Sequence, residues 1–212
     1  ADAARAAEAA GLGIHGSAEG ALVRTVQWAG TFDAAALLPE LKGKPQPAII
    51  EQVSTGSILR VLLTSGAAHR QVTLMLAGIQ CGSIRRSESG AEEAQPYARE
   101  ARHFVEARLL HRSLEVLIEG VDKNGMLLGS VVHPAGNISV ELVRQGYARV
   151  VDWSSAATPA APRLRAAERA AKEARLRLWK DYTPAAKGAD MAAFDARVTE
   201  VVSGDTLIVT DG

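Results

Sequence analysis

The sequence predicts an α+β fold, a small five-stranded barrel of the OB type with helices placed between and after its strands. Two observations lead to this prediction. Five short apolar segments between residues 47 and 132 have the length and the turn signals of strands. Apolar residues at helical spacing recur between the third and fourth segments and again after the fifth. Of the 212 residues, 47% are apolar, which is enough to bury a core of this size.

A hairpin and a continuous apolar run predict the first three strands. PAIIEQV at 47–53 and ILRVLL at 58–63 flank the turn STGS, which has the composition of a hairpin connection. QVTLMLAGI at 71–79 is apolar on both faces, as is typical of a central strand. A polar, flexible loop is expected to follow over 82–93.

Two more strands and three helices complete the predicted domain. LEVLIEGV at 114–121 and MLLGSVV at 126–132 are joined by a turn that contains an Asn-Gly pair. Helices are predicted over 97–112, 139–148 and 161–179. The longest predicted helix has one apolar stripe, formed by Leu164, Ala167, Ala171, Ala174 and Leu178.

Composition excludes several classes of protein. The 24 Lys and Arg residues equal the 24 Asp and Glu residues, so net charge indicates no partner. A single cysteine, Cys81, excludes a disulfide framework and favours a reducing, intracellular compartment. The five histidines show no metal-ligand spacing. No apolar run is long enough to span a bilayer, so a membrane is not expected among the partners.

Two internal similarities predict a fragment of a tandem array. The hairpin EQVSTGSILRV at 51–61 recurs as EVVSGDTLIV at 200–209, and AAGLGIH at 9–15 is similar to EARLRLW at 173–179. We therefore expect five parts: the C-terminal end of a preceding repeat at 1–16, a linker at 17–46, a complete domain at 47–182, a linker at 183–193, and the first hairpin of the next repeat at 194–212.

The complete domain resembles a known family. PAIIEQVSTGSILRVLL, LLGSVVHPAGNISVELVRQGYARVVDWS and LRAAERAAKEARLRLWKDY, in this order, resemble the second nuclease-like domain of the Tudor staphylococcal nuclease (Tudor-SN) family over about 45–182. The resemblance implies an OB-fold domain in a multi-domain, RNA-associated scaffold, located in the cytoplasm and also in the nucleus. It further implies links to RNA silencing and the silencing complex RISC, stress granules, splicing and transcriptional coactivation.

In this family the nuclease reaction uses calcium, a carboxylate base and two arginines that clamp the phosphate. The family's motif positions fall on Ser57 and Gln80 for the two calcium-ligand aspartates, and near Ser83 for the general-base glutamate. The two clamping arginines fall on Met75 and Met126. Because all five are neutral, the resemblance predicts that the complete domain has no catalytic residues, no metal site and no cofactor.

The next repeat differs at the first of these positions. Asp205 follows the glycine of its hairpin, where the complete domain has Ser57. Two roles stay open for Asp205: a ligand of a metal in that repeat, or a residue that shapes the turn. Calcium is accordingly an expectation for the parent protein alone.

Basic residues form the candidate nucleic-acid surface. These are Arg85 and Arg86 in the predicted loop, Arg102 on the first helix, and Arg165, Arg169 and Lys172 on one face of the last helix. Two interpretations stay open: a solvated helix with pairs such as Glu168–Lys172, or a surface that contacts RNA phosphates.

Aromatic residues make up only 4% of the chain, which argues against base stacking. The tryptophans Trp28, Trp153 and Trp179 are scattered and are interpreted as packing residues.

Two functions from different classes therefore remain. The first is a non-catalytic module that binds RNA and protein partners of RNA-processing complexes. RNA contacts would be directed at the backbone, with weak sequence specificity. The second is part of a calcium-dependent nuclease whose working site lies in other repeats.

Overall fold

A computed structural model describes residues 2–16, 25–66, 68–87, 90–183, 196–203 and 206–211. The chain divides into two compact units, residues 1–180 and 181–212. The strands of the first unit are β1 Thr25–Gln27, β2 Pro45–Thr55, β3 Ile58–Leu63, β4 Ala68–Leu76, β5 Ile79–Cys81, β6 Ile84–Arg86, β7 Glu92–Ala94, β8 Ser113–Val121, β9 Leu127–His133, β10 Gly136–Asn137 and β11 Ala148–Val150. Its helices are α1 Asp2–Ala9, α2 Leu38–Leu41, α3 Ala98–Leu109, α4 Ile138–Arg144, α5 Asp152–Ser155 and α6 Ala161–Glu173.

Five of these strands form a closed barrel, which confirms the predicted fold. β2, β3 and β4 make an antiparallel meander, β8 pairs with the other edge of β2, and β9 pairs with β8. β9 then runs parallel to β4, with Leu74 opposite Leu127 and Met75 opposite Leu128, and this pairing closes the barrel. Because the barrel is closed, none of the five strands has an edge that is unpaired along the whole length of the strand.

The core fills the barrel and extends beneath two helices. Large side chains from every barrel strand are almost completely buried: Ile50, Leu59, Leu63, Leu74, Leu76, Ile118 and Leu127. α3 adds Ala101, Val105 and Leu109, and α6 adds Leu164, Ala167 and Ala171. Apolar burial of this extent is the main source of the domain's stability. In the described residues no helix combines the length and the apolar character needed to cross a bilayer.

The last helix is six residues shorter than predicted. α6 ends at Glu173, and the N–H of Leu176 donates to the carbonyl oxygen of Ala171 in a Schellman motif. Arg175 adopts the left-handed conformation that this motif requires, with φ of 50°. Ala174 is therefore the exposed C-cap of α6, and Leu178 lies half-buried in the 3₁₀ turn Arg177–Trp179. The prediction that these two residues belong to the apolar stripe of the helix was wrong.

Three other segments differ from the prediction. The expected flexible loop at 82–93 contains the two strands of a short hairpin, β6 and β7. The helix expected over 139–148 ends at Arg144, and β11 follows it. The expected linker at 17–46 contains β1, the 3₁₀ turn Ala34–Leu37 and α2, whose Leu41 is buried in the core. The division into repeats and linkers stays a prediction.

The backbone reproduces both internal similarities. In the second unit, β12 Ala196–Ser203 pairs with β13 Thr206–Asp211, with bulges at Val198/Glu200 and Val201/Ser203. These positions correspond to the β2–β3 bulges at Ile50/Gln52 and Val53/Thr55. At the other end, α1 is followed by the 3₁₀ turn Gly13–His15, just as α6 is followed by Arg177–Trp179. Gly11 and Gly13 adopt the same left-handed conformation as Arg175 and Arg177.

The hairpin glycine Gly56 allows the β2–β3 turn to approach α3. A Cβ atom at this position would lie 2.7 Å from Sγ of Cys81 and 2.8 Å from Cβ of Ala101. Both distances are shorter than van der Waals contact, and the neighbouring residues are themselves buried. A side chain at this position would therefore force backbone movement.

We predict that Gly56→Ala lowers the free energy of unfolding by about 1–3 kcal/mol, the usual cost of overpacking. Gly120→Ala is the matched control, because its Cβ would meet Ala157 and Leu128 at ordinary distances of 3.7 and 3.8 Å. Denaturant titration of both variants measures the difference. Equal midpoints for the two variants would contradict the proposed close approach.

A buried carboxylate joins the barrel to the start of α6. Glu119 on β8 is 8% exposed, and it accepts hydrogen bonds from Ser130 Oγ at 3.2 Å and from Thr158 Oγ1 at 3.0 Å. Burial raises the pKa of Glu119 above its ordinary value, while the two hydroxyl donors oppose that rise. Desolvation is the larger of the two effects.

This carboxylate makes stability depend on pH. At low pH Glu119 is protonated in both the folded and the unfolded state. As pH rises above the ordinary carboxyl pKa, the unfolded chain loses a proton that the folded chain keeps, so the free energy of unfolding falls until folded Glu119 also ionises. We predict that Glu119→Gln removes this fall, so the variant gains stability relative to the parent chain between acidic and neutral pH.

Denaturant titrations at both pH values measure this effect. Glu115→Gln, which removes an exposed carboxylate from the same strand, controls for the change in net charge. An unchanged difference between Glu119→Gln and the parent chain at the two pH values would show that burial does not perturb Glu119.

Candidate functional site

Four of the five neutral motif positions line one pocket beside the β2–β3 turn. This Ser57 pocket has a volume of about 160 Å³. Its described lining consists of Thr55, Ser57, Ile58, Met75, Ile79, Gln80, Cys81, Gly82, Ser83, Val151 and Trp153. Met126 is not among these residues. It lies in the β8–β9 turn, where its N–H donates to Oδ1 of Asp122 at 2.8 Å.

Ser57 has a structural role at the base of the pocket. It is 5% exposed, and its Oγ accepts a hydrogen bond from the N–H of Cys81 at 3.2 Å. Its carbonyl oxygen accepts from the N–H of Leu76 at 2.9 Å, so the turn is joined to β4 as well as to β5. Burial raises the pKa of the Cys81 thiol to about 12, which keeps the thiol protonated and unreactive.

The other three positions form the wall and the rim. Met75 is half-buried and pairs with Ile58 on β3 and Leu128 on β9, consistent with packing at the mouth of the barrel. Gln80 is exposed on β5. The N–H of Ser83 donates to the side-chain oxygen of Gln95 at 2.9 Å. None of these three positions carries a charged side chain.

These residues do not fit calcium. A calcium site needs several oxygen ligands, most of them carboxylates, and none of the described lining residues of the Ser57 pocket is charged. Across the described part of the chain, no group of three or more His, Cys, Asp or Glu residues could hold a metal ion. Asp205, the predicted carboxylate of the next repeat, lies outside the described residues.

Most of the six predicted basic residues lie beside carboxylates. Three of them form ion pairs: Arg102 with Glu106 at 2.8 Å, Arg165 with Asp152 at 3.1 Å, and Lys172 with Glu168 at 2.8 Å. In the β6–β7 hairpin, Arg85 and Arg86 lie opposite Glu93 and Glu92. Arg169 is exposed on α6 and has no ion pair among the described residues. The predicted common surface is thus largely balanced by carboxylates.

A different set of arginines lines one pocket. Arg108 on α3, Arg144 on α4 and Arg163 on α6 line a pocket of about 400 Å³, here called the three-arginine pocket. The carboxylate of Glu141 is also in the lining and pairs with Arg144 at 2.8 Å. Three guanidinium groups against one carboxylate favour an anion such as phosphate. Sequence reasoning missed this set because its members are on three separate helices.

Sequence reasoning also missed two residues beside the Ser57 pocket. These are Trp153, which lines that pocket and is 60% exposed, and Arg149. Trp28, which is not in the described lining, is 55% exposed, so the interpretation of Trp28 and Trp153 as packing residues was wrong. Arg149 lines an adjoining pocket of about 360 Å³, the Arg149 pocket, which shares Gln80, Cys81 and Gly82 with the first. Trp179 is half-buried, with Nζ of Lys172 4.4 Å from its ring centroid.

A closed five-stranded barrel with helices is an architecture of the OB type. The family described as "Staphylococcal nuclease homologue" matches residues 73–181. The chain belongs to this family. This chain is therefore a member of the family, one that has neutral side chains at Ser57, Met75 and Gln80.

Named relatives narrow the class to nuclease-like domains of the Tudor-SN type. The chain is 40% identical over 194 residues to Staphylococcal nuclease domain-containing protein 1 of Drosophila melanogaster, covering 88% of the chain and 20% of that protein. It is 34% identical over 230 residues to Ribonuclease TUDOR 2 of Arabidopsis thaliana, covering 86% and 23%. A Schizosaccharomyces pombe protein with the fly protein's name is 34% identical over 209 residues, covering 93% and 24%. The chain thus spans less than a quarter of these relatives.

Proposed function

We propose that the complete domain is a non-catalytic module that binds RNA and scaffolds protein partners within a multi-domain Tudor-SN protein. The observation that carries this proposal is the neutral lining of the Ser57 pocket. Cleavage of a phosphodiester needs positive charge near the phosphate and a base near the attacking water. Thioether, amide and hydroxyl groups supply neither at neutral pH.

Arginines outside that pocket supply the binding. The guanidinium groups of the three-arginine pocket and the exposed Arg169 on α6 can each contact a phosphate oxygen. Such contacts hold the backbone without reading sequence, so binding is backbone-directed and weakly specific. The chain has no net charge, and these local arginine groups therefore determine where RNA binds.

The wider role in this proposal follows from the Tudor-SN resemblance. The proposed role is in RNA metabolism and RNA silencing. Its settings are RISC, stress granules and transcriptional coactivation, in the cytoplasm and the nucleus. A repeat that binds RNA without cleaving it suits such settings, because it can hold a transcript while partner proteins act on it.

A second candidate function concerns the parent protein. The Arabidopsis relatives are named Ribonuclease TUDOR 1 and Ribonuclease TUDOR 2. These names favour a parent protein that is a phosphodiesterase with its active site in other repeats. By family resemblance, that activity would depend on calcium. Asp205 in the next repeat is the residue of this chain that such a site would use as a ligand.

We predict that the chain of residues 1–212 does not cleave single-stranded RNA or DNA with millimolar calcium. The physical reason is the absence of charge from the described Ser57 pocket lining. Gel analysis of labelled oligonucleotides with and without chelator measures it. Chelator-sensitive cleavage by a preparation free of contaminating nuclease would refute the non-catalytic proposal.

We also predict that RNA binding weakens steeply as salt rises, because bound phosphates release counterions. The double variant Arg163→Gln/Arg169→Gln removes two α6 arginines that have no ion pair among the described residues. It should lower the slope of log K against log salt by about two, one for each lost phosphate contact. Arg165→Gln is the matched control on the same helix, since Arg165 is paired with Asp152.

Fluorescence anisotropy with one labelled RNA at several salt concentrations gives both slopes. The double variant should lose affinity similarly for RNAs of different sequence. A slope equal to that of the parent chain would show that α6 is a solvated face with no role in binding.

A further inference from the structure

We propose that the Ser57 pocket binds one unpaired base of single-stranded RNA, stacked on Trp153, while Arg149 holds the neighbouring phosphate without calcium. The inference rests on the proposed RNA-binding function and assigns a site to it. The residues that carry it are the exposed Trp153, the apolar pocket wall and the adjoining Arg149 pocket.

Trp153 is held as a fixed platform. It lies on the single turn α5, between neighbours that are anchored to the barrel. Ser154 and Ser155 are buried, and Oγ of Ser154 accepts a hydrogen bond from the N–H of Gly78 at 3.1 Å. Because its neighbours are fixed inside, the backbone that carries the exposed Trp153 is held in place beside the pocket, which lowers the cost of ordering when a ligand binds.

The shape and lining of the pocket suit one planar ring. Its volume of about 160 Å³ is well below the several hundred cubic ångströms of pockets for larger small molecules. Ile58, Met75 and Ile79 supply an apolar wall, and the exposed amide of Gln80 is at the rim. An apolar slot with a polar rim accommodates the face of a base and leaves its edge a hydrogen-bond partner.

Arg149 places a positive charge next to this slot. It lies on β11 directly opposite Gln80 on β5, and the two residues line the Arg149 pocket together with Gln95. The described lining residues of both pockets include no carboxylate, and Arg149 has no ion pair among the described residues. Its charge is therefore available to a phosphate directly, and a bridging cation is not required.

The combination identifies the class of ligand. Single-stranded nucleic acids are bound by an aromatic platform for a base beside a cation for the backbone, whereas paired bases cannot enter a one-ring slot. An apolar peptide side chain would fill the slot, but it would leave Arg149, whose guanidinium lies 5.6 Å from the ring centroid of Trp179, without an anion. The charge next to the pocket thus favours RNA.

The test compares variants of the chain in chelator, with a single-stranded uridine dodecamer and an RNA duplex of equal length. Trp153→Ala should weaken single-strand binding about tenfold, within the range of one lost base stack, and leave duplex binding unchanged. Trp153→Phe should retain most of the affinity. Trp28→Ala, which removes another exposed tryptophan that is not in the pocket lining, is the matched control and should bind as the parent chain does.

Two further measurements sharpen the result. Arg149→Gln should weaken single-strand binding and lower its salt slope by about one. The indole N–H nuclear magnetic resonance signal of Trp153, assigned by its loss in Trp153→Phe, should shift on adding the uridine dodecamer.

Each contrary outcome has a distinct meaning. Full single-strand affinity in Trp153→Ala overturns the base site but leaves the proposed function intact, because RNA still binds. Failure of the parent chain to bind any RNA overturns both. A requirement for calcium, or an equal loss of duplex binding in Trp153→Ala, overturns the base site. A shift of the Trp153 signal with N-acetyl-leucinamide and not with RNA assigns the pocket to a protein partner.

Discussion

The parallel pairing of β4 with β9 is the contact on which the rest of the structure depends. It joins segments about fifty residues apart and closes the barrel around Leu74 and Leu127, both completely buried. The same closure fixes the start of the site, because the N–H of Ala77, just past β4, donates to the carbonyl oxygen of Gly129 at 2.9 Å. β5 begins two residues later and forms one side of the Ser57 pocket. Closure thus acts together with the hydrogen bond from the N–H of Cys81 to Ser57 Oγ, which joins β5 directly to the hairpin turn.

The Ser57 position shows how a binding position can become a structural one. A buried carboxylate there would need a cation, since an unpaired charge in a low-dielectric site is costly. The hydroxyl instead accepts the N–H of Cys81, and Gly56 lets that cysteine pack directly against the turn. The neutral amide of Gln80 likewise avoids the repulsion that a second carboxylate would meet from the first without a metal. The pocket is therefore stable as it stands, and its apolar wall is free to receive a ring.

The sequence predicted the barrel well because its strands have strong apolar periodicity and clear turn residues. It missed the end of α6 because Arg175 and Arg177 adopt left-handed conformations that usually indicate glycine. The similar segment at 9–15 indicated this end, because Gly11 and Gly13 occupy the positions that match Arg175 and Arg177. The β6–β7 hairpin was missed because its strands are polar and mostly exposed. Four of the five motif positions, which are far apart in sequence, line one pocket because the hairpin turn, β4 and β5 meet there.

The basic surface was harder to predict, because sequence spacing shows which charges share a helix but not which carboxylates neutralise them. Arg165 is on the predicted face, yet its partner Asp152 belongs to α5. Arg149 lies within a segment that carries the family resemblance but matches none of its catalytic positions, and it reaches the site through the pairing of β11 with β5. Exposure in the folded chain likewise distinguishes Trp153 from a packing tryptophan. In a chain without net charge, the field that an RNA meets is set by the arginines left without carboxylates, and these are identified by tertiary contacts rather than by composition.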